Sequence, residues 1–168
     1  MGFLARLLRV VPKADRGGIH LEGSERWRVA PTKDVERFVR ALPILAPDDS
    51  VAYFEDTGEP HVRRYLESLS VPTSVQVAVG TLWPRPDRYH VPLTVKTMEA
   101  LAAFLEQNPA GYSCSHCHVY CNGVVLLEWH DALADDPMYI SRTIGSDAVG
   151  AFARALGSSF EIDTWAHR

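Results

Sequence analysis

The chain has 168 residues, 46% hydrophobic and 23% charged, enough to bury a core without a disulfide or metal staple and a fit for one compact domain. Eleven glycines and eleven prolines exclude collagen-like and low-complexity classes, and no run approaches the ~18 apolar residues of a membrane span. A net charge of −4 argues against a dedicated nucleic-acid binder, whose phosphate contacts need a basic surface.

At the start, Phe3, Leu4, Leu7 and Leu8 fall on one helical face with Arg6 and Arg9 opposite. Such a helix is expected to dock on the protein's own core rather than on a membrane surface, and its arginines break the apolar run a secretory signal needs. Residues 18–22 and 26–30, joined by Gly23-Ser24-Glu25, read as a short hairpin. Thr32 is placed to cap a helix carrying Val35, Phe38, Val39 and Leu42 at i, i+3, i+4, i+7, which Pro43 ends. Val51 to Glu55 is expected as a strand, Asp56-Thr57-Gly58 as a turn, and Pro60 as the opening of a helix bearing Val62, Tyr65, Leu66 and Leu69.

Ser74 to Gly80 alternates valines with Gln76 and Ala78, a strand with one buried face. Pro84 and Pro86 stiffen the loop that follows, and residues 89–93 resume extended chain. The longest helix is expected over residues 95–107, with Met98, Leu101, Ala102 and Leu105 inward. Two β-rich runs then flank Asn122-Gly123, a dipeptide that tolerates the positive φ angles of a type I′ hairpin. A strand over 138–142, a helix capped by Ser146 or Asp147 and closed by Gly157, and a final strand holding Phe160 and Ile162 complete the chain. The expected class is α+β, a single domain over 1–168 with four to five helices on a largely antiparallel sheet and a conceivable subdivision near 81–88. The segments Val35–Leu42 and Val149–Leu156 share Val, Phe, Arg, Ala and Leu in register, which raises the idea of two similar β-α-β halves; V-x-x-F-x-R-A-L is also ordinary amphipathic helix.

The three cysteines, Cys114, Cys117 and Cys121, lie in one short run and do not form a secreted disulfide framework; reduced thiols fit a cytoplasmic protein. A regular two-residue hairpin at Asn122-Gly123 pairs Tyr120 with Val125, His118 with Leu127, Cys117 with Glu128 and His116 with Trp129. Cys114, His116, His118 and Tyr120 would then share a face with Leu127 and Trp129, and Cys117 would share the other with Glu128 and His130. Cys114-x-x-Cys117 has the spacing of a zinc knuckle, but positions three apart on a strand face opposite ways. Cys117 and Cys121 share a face at about 13 Å, too far for one ion. His116 and His118 make the better metal pair, with Cys114 or His90 as a third zinc ligand, but the expectation is no cofactor, with both histidines half-exposed on a sheet face packed by Tyr120 and Trp129 and zinc as the alternative. A thiol enzyme can be drawn with Cys117 as nucleophile, His130 as base and Glu128 beside them.

Between Lys96 and Arg142 there is no basic residue, while Glu99, Glu106, Glu128, Asp131, Asp135 and Asp136 fall in that stretch. With Trp83 and Tyr89 on the proline-stiffened loop, and Tyr120 and Trp129 on the hairpin, this suggests an acidic, aromatic-containing surface suited to a basic protein partner. The leading expectation is a non-catalytic bacterial-type binding protein that captures a macromolecule through Trp83, Tyr89, Tyr120, Trp129, Asp131, Asp135 and Asp136. An immunity- or antitoxin-like inhibitor is one version. The alternative is a metal-dependent or thiol enzyme centred on residues 114–131, and a groove beside the sheet could carry a small ligand or peptide. No P-loop, G-x-S-x-G or dinucleotide fingerprint is present.

Overall fold

A computed structural model describes residues 17–55, 59–78, 87–108, 114, 116–132 and 135–164. Seven strands, β1 (Glu25–Val29), β2 (Val51–Glu55), β3 (Arg88–Pro92), β4 (His116–Cys121), β5 (Val124–His130), β6 (Met138–Ser141) and β7 (Phe160–Thr164), form one sheet in the order β3-β2-β4-β5-β6-β1-β7. Every pair within it is antiparallel. The helices are α1 (Val35–Ala41), α2 (Pro60–Leu69), α3 (Val95–Gln107) and α4 (Ser146–Leu156), with a short 3₁₀ turn at Leu42–Ile44 where Pro43 interrupts the backbone ladder. The class is α+β, with helices on a largely antiparallel sheet.

Each helix buries the stripe its spacing prescribes. Helix α3 turns Met98, Leu101, Ala102 and Leu105 inward, and Thr94 caps it by accepting the Thr97 N–H at 3.1 Å. Helix α1 is capped by Asp34, which accepts the Arg37 N–H at 2.9 Å; Thr32 instead accepts the Asp34 N–H. Helix α4 follows Gly145 rather than a side-chain cap and ends at Gly157, whose φ of 68° closes the last turn. These stripes pack on the same sheet face, where Ala52, Phe54, Val91, Val119, Leu127, Trp129 and Ile140 complete a continuous apolar core.

Two expected elements differ. Residues 18–30 form no hairpin: Ile19 makes a parallel bridge with Val77, while β1 is inserted between β6 and β7. Within 74–78 the strand reduces to that bridge, because the partner available to Val77 is a single extended residue rather than a strand. The N-terminal helix, the turn at 56–58 and the Trp83 loop lie outside the described residues.

The sheet face away from the helices carries a smaller cluster of Leu21, Tyr53, Val77, Tyr120 and Val125. The crossing chains at 19–21 and 75–78 lie over it, tied by Ile19 N–H to Gln76 O and Ala78 N–H to Ile19 O. Beside this cluster the same face becomes polar.

A buried histidine and glutamate cluster on the central hairpin

The β4–β5 hairpin turns at Asn122 (φ 50°) and Gly123 (φ 78°), the two positive angles that a type I′ turn requires. Tyr120 pairs with Val125 and Cys121 with Val124, as a regular hairpin would have it. The register then shifts: Val119 faces Leu127, His118 faces Glu128, Cys117 faces Trp129 and His116 faces His130. Leu126 is the extra residue of a β-bulge. It buries beside Leu127 in the helix-side core, so two consecutive leucines feed one apolar layer.

This bulge overturns the pairing expected from a regular ladder, because one extra residue reverses the face of everything beyond it. Glu128 and His130 join His116 and His118, whereas Cys117 and Trp129 turn to the core. Cys117 is 1% exposed on that apolar side, and burial holds its thiol well above the ordinary range. The trio Cys117, His130 and Glu128 is therefore not assembled, and Cys117 has neither base nor access. Cys114 packs in the helix-side core with its Sγ 3.1 Å from the His116 carbonyl, and the convergent ligand atoms on the opposite face come from His118, Glu128 and His130. His90 hydrogen-bonds Tyr120 Oη through Nδ1 at 2.9 Å and stands outside the cluster.

Strand β2 completes the arrangement from the other side of β4. Tyr53 lies opposite His118 and Glu55 opposite His116. His118 is fully buried beside Glu128, its Nε2 3.7 Å from Glu128 Oε1, and His130 Nε2 is 3.7 Å from Glu128 Oε2. One ligand atom from each of His118, Glu128 and His130 lies within 4.8 Å of the others. Glu128 Oε1 also accepts the Leu21 N–H at 3.0 Å, so the crossing chain fixes the carboxylate from above. His116 Nε2 is 3.5 Å from Glu55 Oε2, and Tyr53 Oη donates to Glu55 Oε1 at 3.4 Å. His130 is the most exposed of the group, with 45% of its side chain open to solvent against 11% for Glu128.

The electrostatics follow from burial and the two carboxylates. Burial drives His118 down to about 3, against the pull of Glu128. Burial and the neighbouring His130 take His116 to about 4. Burial would raise the Glu128 carboxyl, but the adjacent His130, then His118, and the Leu21 amide outweigh it and hold the group at about 2. Burial lowers His130, yet Glu128 overcomes it and raises the pKa above the ordinary histidine value. Among the described residues neither ring nitrogen of His118 has a hydrogen-bond partner, an omission that costs about 1–3 kcal/mol per unsatisfied group.

Glu55 and Tyr53 were not singled out from the sequence. Their shared face was readable from the alternation within residues 51–55, but their position opposite the histidines depends on β2 pairing with β4. The other expected binding residues are dispersed. Tyr89, Tyr120 and Trp129 are buried, and Trp129 Nε1 donates to Asp136 O at 2.8 Å. Glu99 and Glu106 pair with Arg40, Asp135 pairs with Lys33, and the Asp131 N–H points to His116 Nδ1 at 3.3 Å. The acidic stretch thus splits between helix α3, the inward-facing Glu128 and the loop after β5. No helix among the described residues is long and apolar enough to cross a membrane. Searches against models of protein families, against curated proteins and against solved structures find no match to the chain.

Proposed function

We propose that this protein binds a divalent transition metal, zinc foremost, through His118, Glu128 and His130, and that the centre is of the catalytic kind. The observation that carries this reading is His118: an imidazole with no exposure and no hydrogen bond, facing a carboxylate and a second imidazole. Zinc bonds to nitrogen and oxygen of about 2.0–2.2 Å set two tetrahedral ligands about 3.4 Å apart. The two imidazoles stand 3.7 Å from different oxygens of Glu128, and the three ligand atoms lie within 4.8 Å of one another, so the side chains would close by up to about 1.4 Å around an ion. Two histidines and one carboxylate are a known zinc ligand set, and three protein ligands leave a fourth position for water or substrate. Solvent reaches the cluster at His130, so the open position belongs on that side. A metal there would act as a Lewis acid and lower the pKa of a bound water, which suits hydrolysis. Capture of a basic partner has less to rest on, since three of its aromatic residues are buried.

Titration of metal-free protein with zinc by calorimetry is expected to show one site per chain, lost on His118→Ala. Cobalt substitution should give a visible spectrum that shifts on adding a small anion such as azide, which would enter the exchangeable position. Wild-type protein that binds neither metal above background would overturn the proposal. A cobalt spectrum insensitive to added anions would overturn the catalytic character alone.

A further inference from the structure

We infer that His116 is a positioning residue that fixes His130 in the tautomer needed to bind the metal, as the second member of a relay running His130–His116–Glu55–Tyr53. The inference rests on the metal centre proposed above and extends it to residues that do not touch the ion.

The proton positions follow from one backbone donor. The Asp131 amide can only donate, and it points at His116 Nδ1 from 3.3 Å, so that nitrogen is a bare acceptor. Asp131 holds this aim through a positive φ of 46°, a conformation that Asp adopts more readily than most residues. His130 Nδ1 faces the same His116 nitrogen at 3.2 Å, and two bare nitrogens do not attract, so His130 carries its proton on Nδ1. In the metal-free protein His130 Nε2 faces the Glu128 carboxylate at 3.7 Å and is favoured in its protonated form; an ion bound there would displace that proton and take the Nε2 lone pair, leaving Nδ1–H in place. The remaining proton of neutral His116 is on Nε2, 3.5 Å from the Glu55 carboxylate. Tyr53 Oη donates to the other oxygen of Glu55 and braces it. Both His116 and Glu55 are buried, at 7% and 0% exposure, so water competes little for these contacts.

A ligating histidine usually donates its second ring N–H to a carbonyl, carboxylate or water, and loss of that outer partner costs about 10–100-fold in metal affinity. Here a second histidine takes the part, itself held by a carboxylate. The relay orients His130, the most exposed of the three ligands and so the one with most freedom to turn.

The test compares His116→Asn, whose side-chain oxygen can accept from both donors, with His116→Leu, which cannot. Zinc affinity is measured on metal-free protein by competition with a chromophoric chelator, and folding of each variant is checked by circular dichroism. His116→Leu is expected to bind zinc about 10–100-fold more weakly, and His116→Asn to recover most of the loss. In zinc-loaded wild type, long-range ¹H–¹⁵N correlation should show His130 protonated at Nδ1 and bound through Nε2. Equal affinity in His116→Leu and wild type, equal losses in the two variants, or zinc on His130 Nδ1 would each overturn the relay while leaving the metal centre standing. Absence of zinc binding in wild type would overturn the centre and the relay with it.

Discussion

A histidine buried without a partner is kept neutral by the cost of placing its charge away from water, and that cost links folding to pH. His118 and His116 titrate in the folded protein at about 3 and about 4, below the ordinary 6.5 of an unfolded chain. As pH falls below 6.5 the unfolded state takes up these protons first, so the metal-free protein loses stability between roughly pH 6.5 and 4. His130 works the other way: its raised pKa adds stability below 6.5 that is lost as pH rises through the folded value. With two groups lowered and one raised, the expected net loss from pH 7 to 5 is on the order of 3 kcal/mol. Urea denaturation of the metal-free protein at pH 7, 6 and 5 checks it; an unchanged or rising midpoint on acidification would contradict the assignment. Glu128, held at about 2, extends the same trend below its ordinary value of 4.5. Which residue types could do chemistry was legible in the sequence, since His116, His118, Glu128 and His130 all fall within one hairpin. Their protonation was not, because it depends on burial and on a carboxylate, Glu55, some sixty positions upstream.

At the scale of elements, two backbone features set the cluster. The bulge at Leu126 decides which face Glu128 and His130 occupy, and the crossing segment at 17–21 supplies the amide that holds Glu128. That segment approaches residues 76–78 so closely that a Cβ on Gly18 would stand 2.5 Å from Ala78 N and Val77 C. Gly18→Ala must therefore push the Ile19–Leu21 chain outward and draw the Leu21 N–H away from Glu128. The expected cost is about 1–3 kcal/mol, as for other forced overpacking, together with weaker zinc binding. A combined urea and zinc titration of this variant checks both; unchanged values would show that the crossing chain does not brace the site. The hairpin, its turn residues and the strand positions were legible from local signals, Asn122-Gly123 above all. The bulge was not, because nothing between Val124 and Trp129 marks Leu126 as the residue to be skipped.

Across the whole molecule, the helix layer holds the sheet against which the polar face is built. Phe38 of α1 packs on Trp129 of β5 with ring centroids 4.7 Å apart, and on Phe152 of α4 at 6.3 Å. It thus joins two helices to the strand that carries Glu128 and His130. Phe38→Ala should cost about 3–5 kcal/mol through lost contacts and the cavity left behind, a large share of the ~5–15 kcal/mol by which a domain is stable. Chemical denaturation reads the change directly. Zinc at a hundred times its dissociation constant should offset about 2.7 kcal/mol of such a loss by mass action. The offset should appear as a higher melting temperature in wild type and in Phe38→Ala, and not in His118→Ala.

The sequence by itself determined the α+β class, the stripes of helices α1 to α4 and the hairpin turn, because these follow from spacings of three, four and two residues that act locally. Tertiary structure alone decided the strand order, the insertion of β1 between β6 and β7, and the side on which each thiol and imidazole stands. Those outcomes depend on pairings between distant segments and on one extra residue in a ladder. A period of two turns that single insertion into a complete exchange of faces.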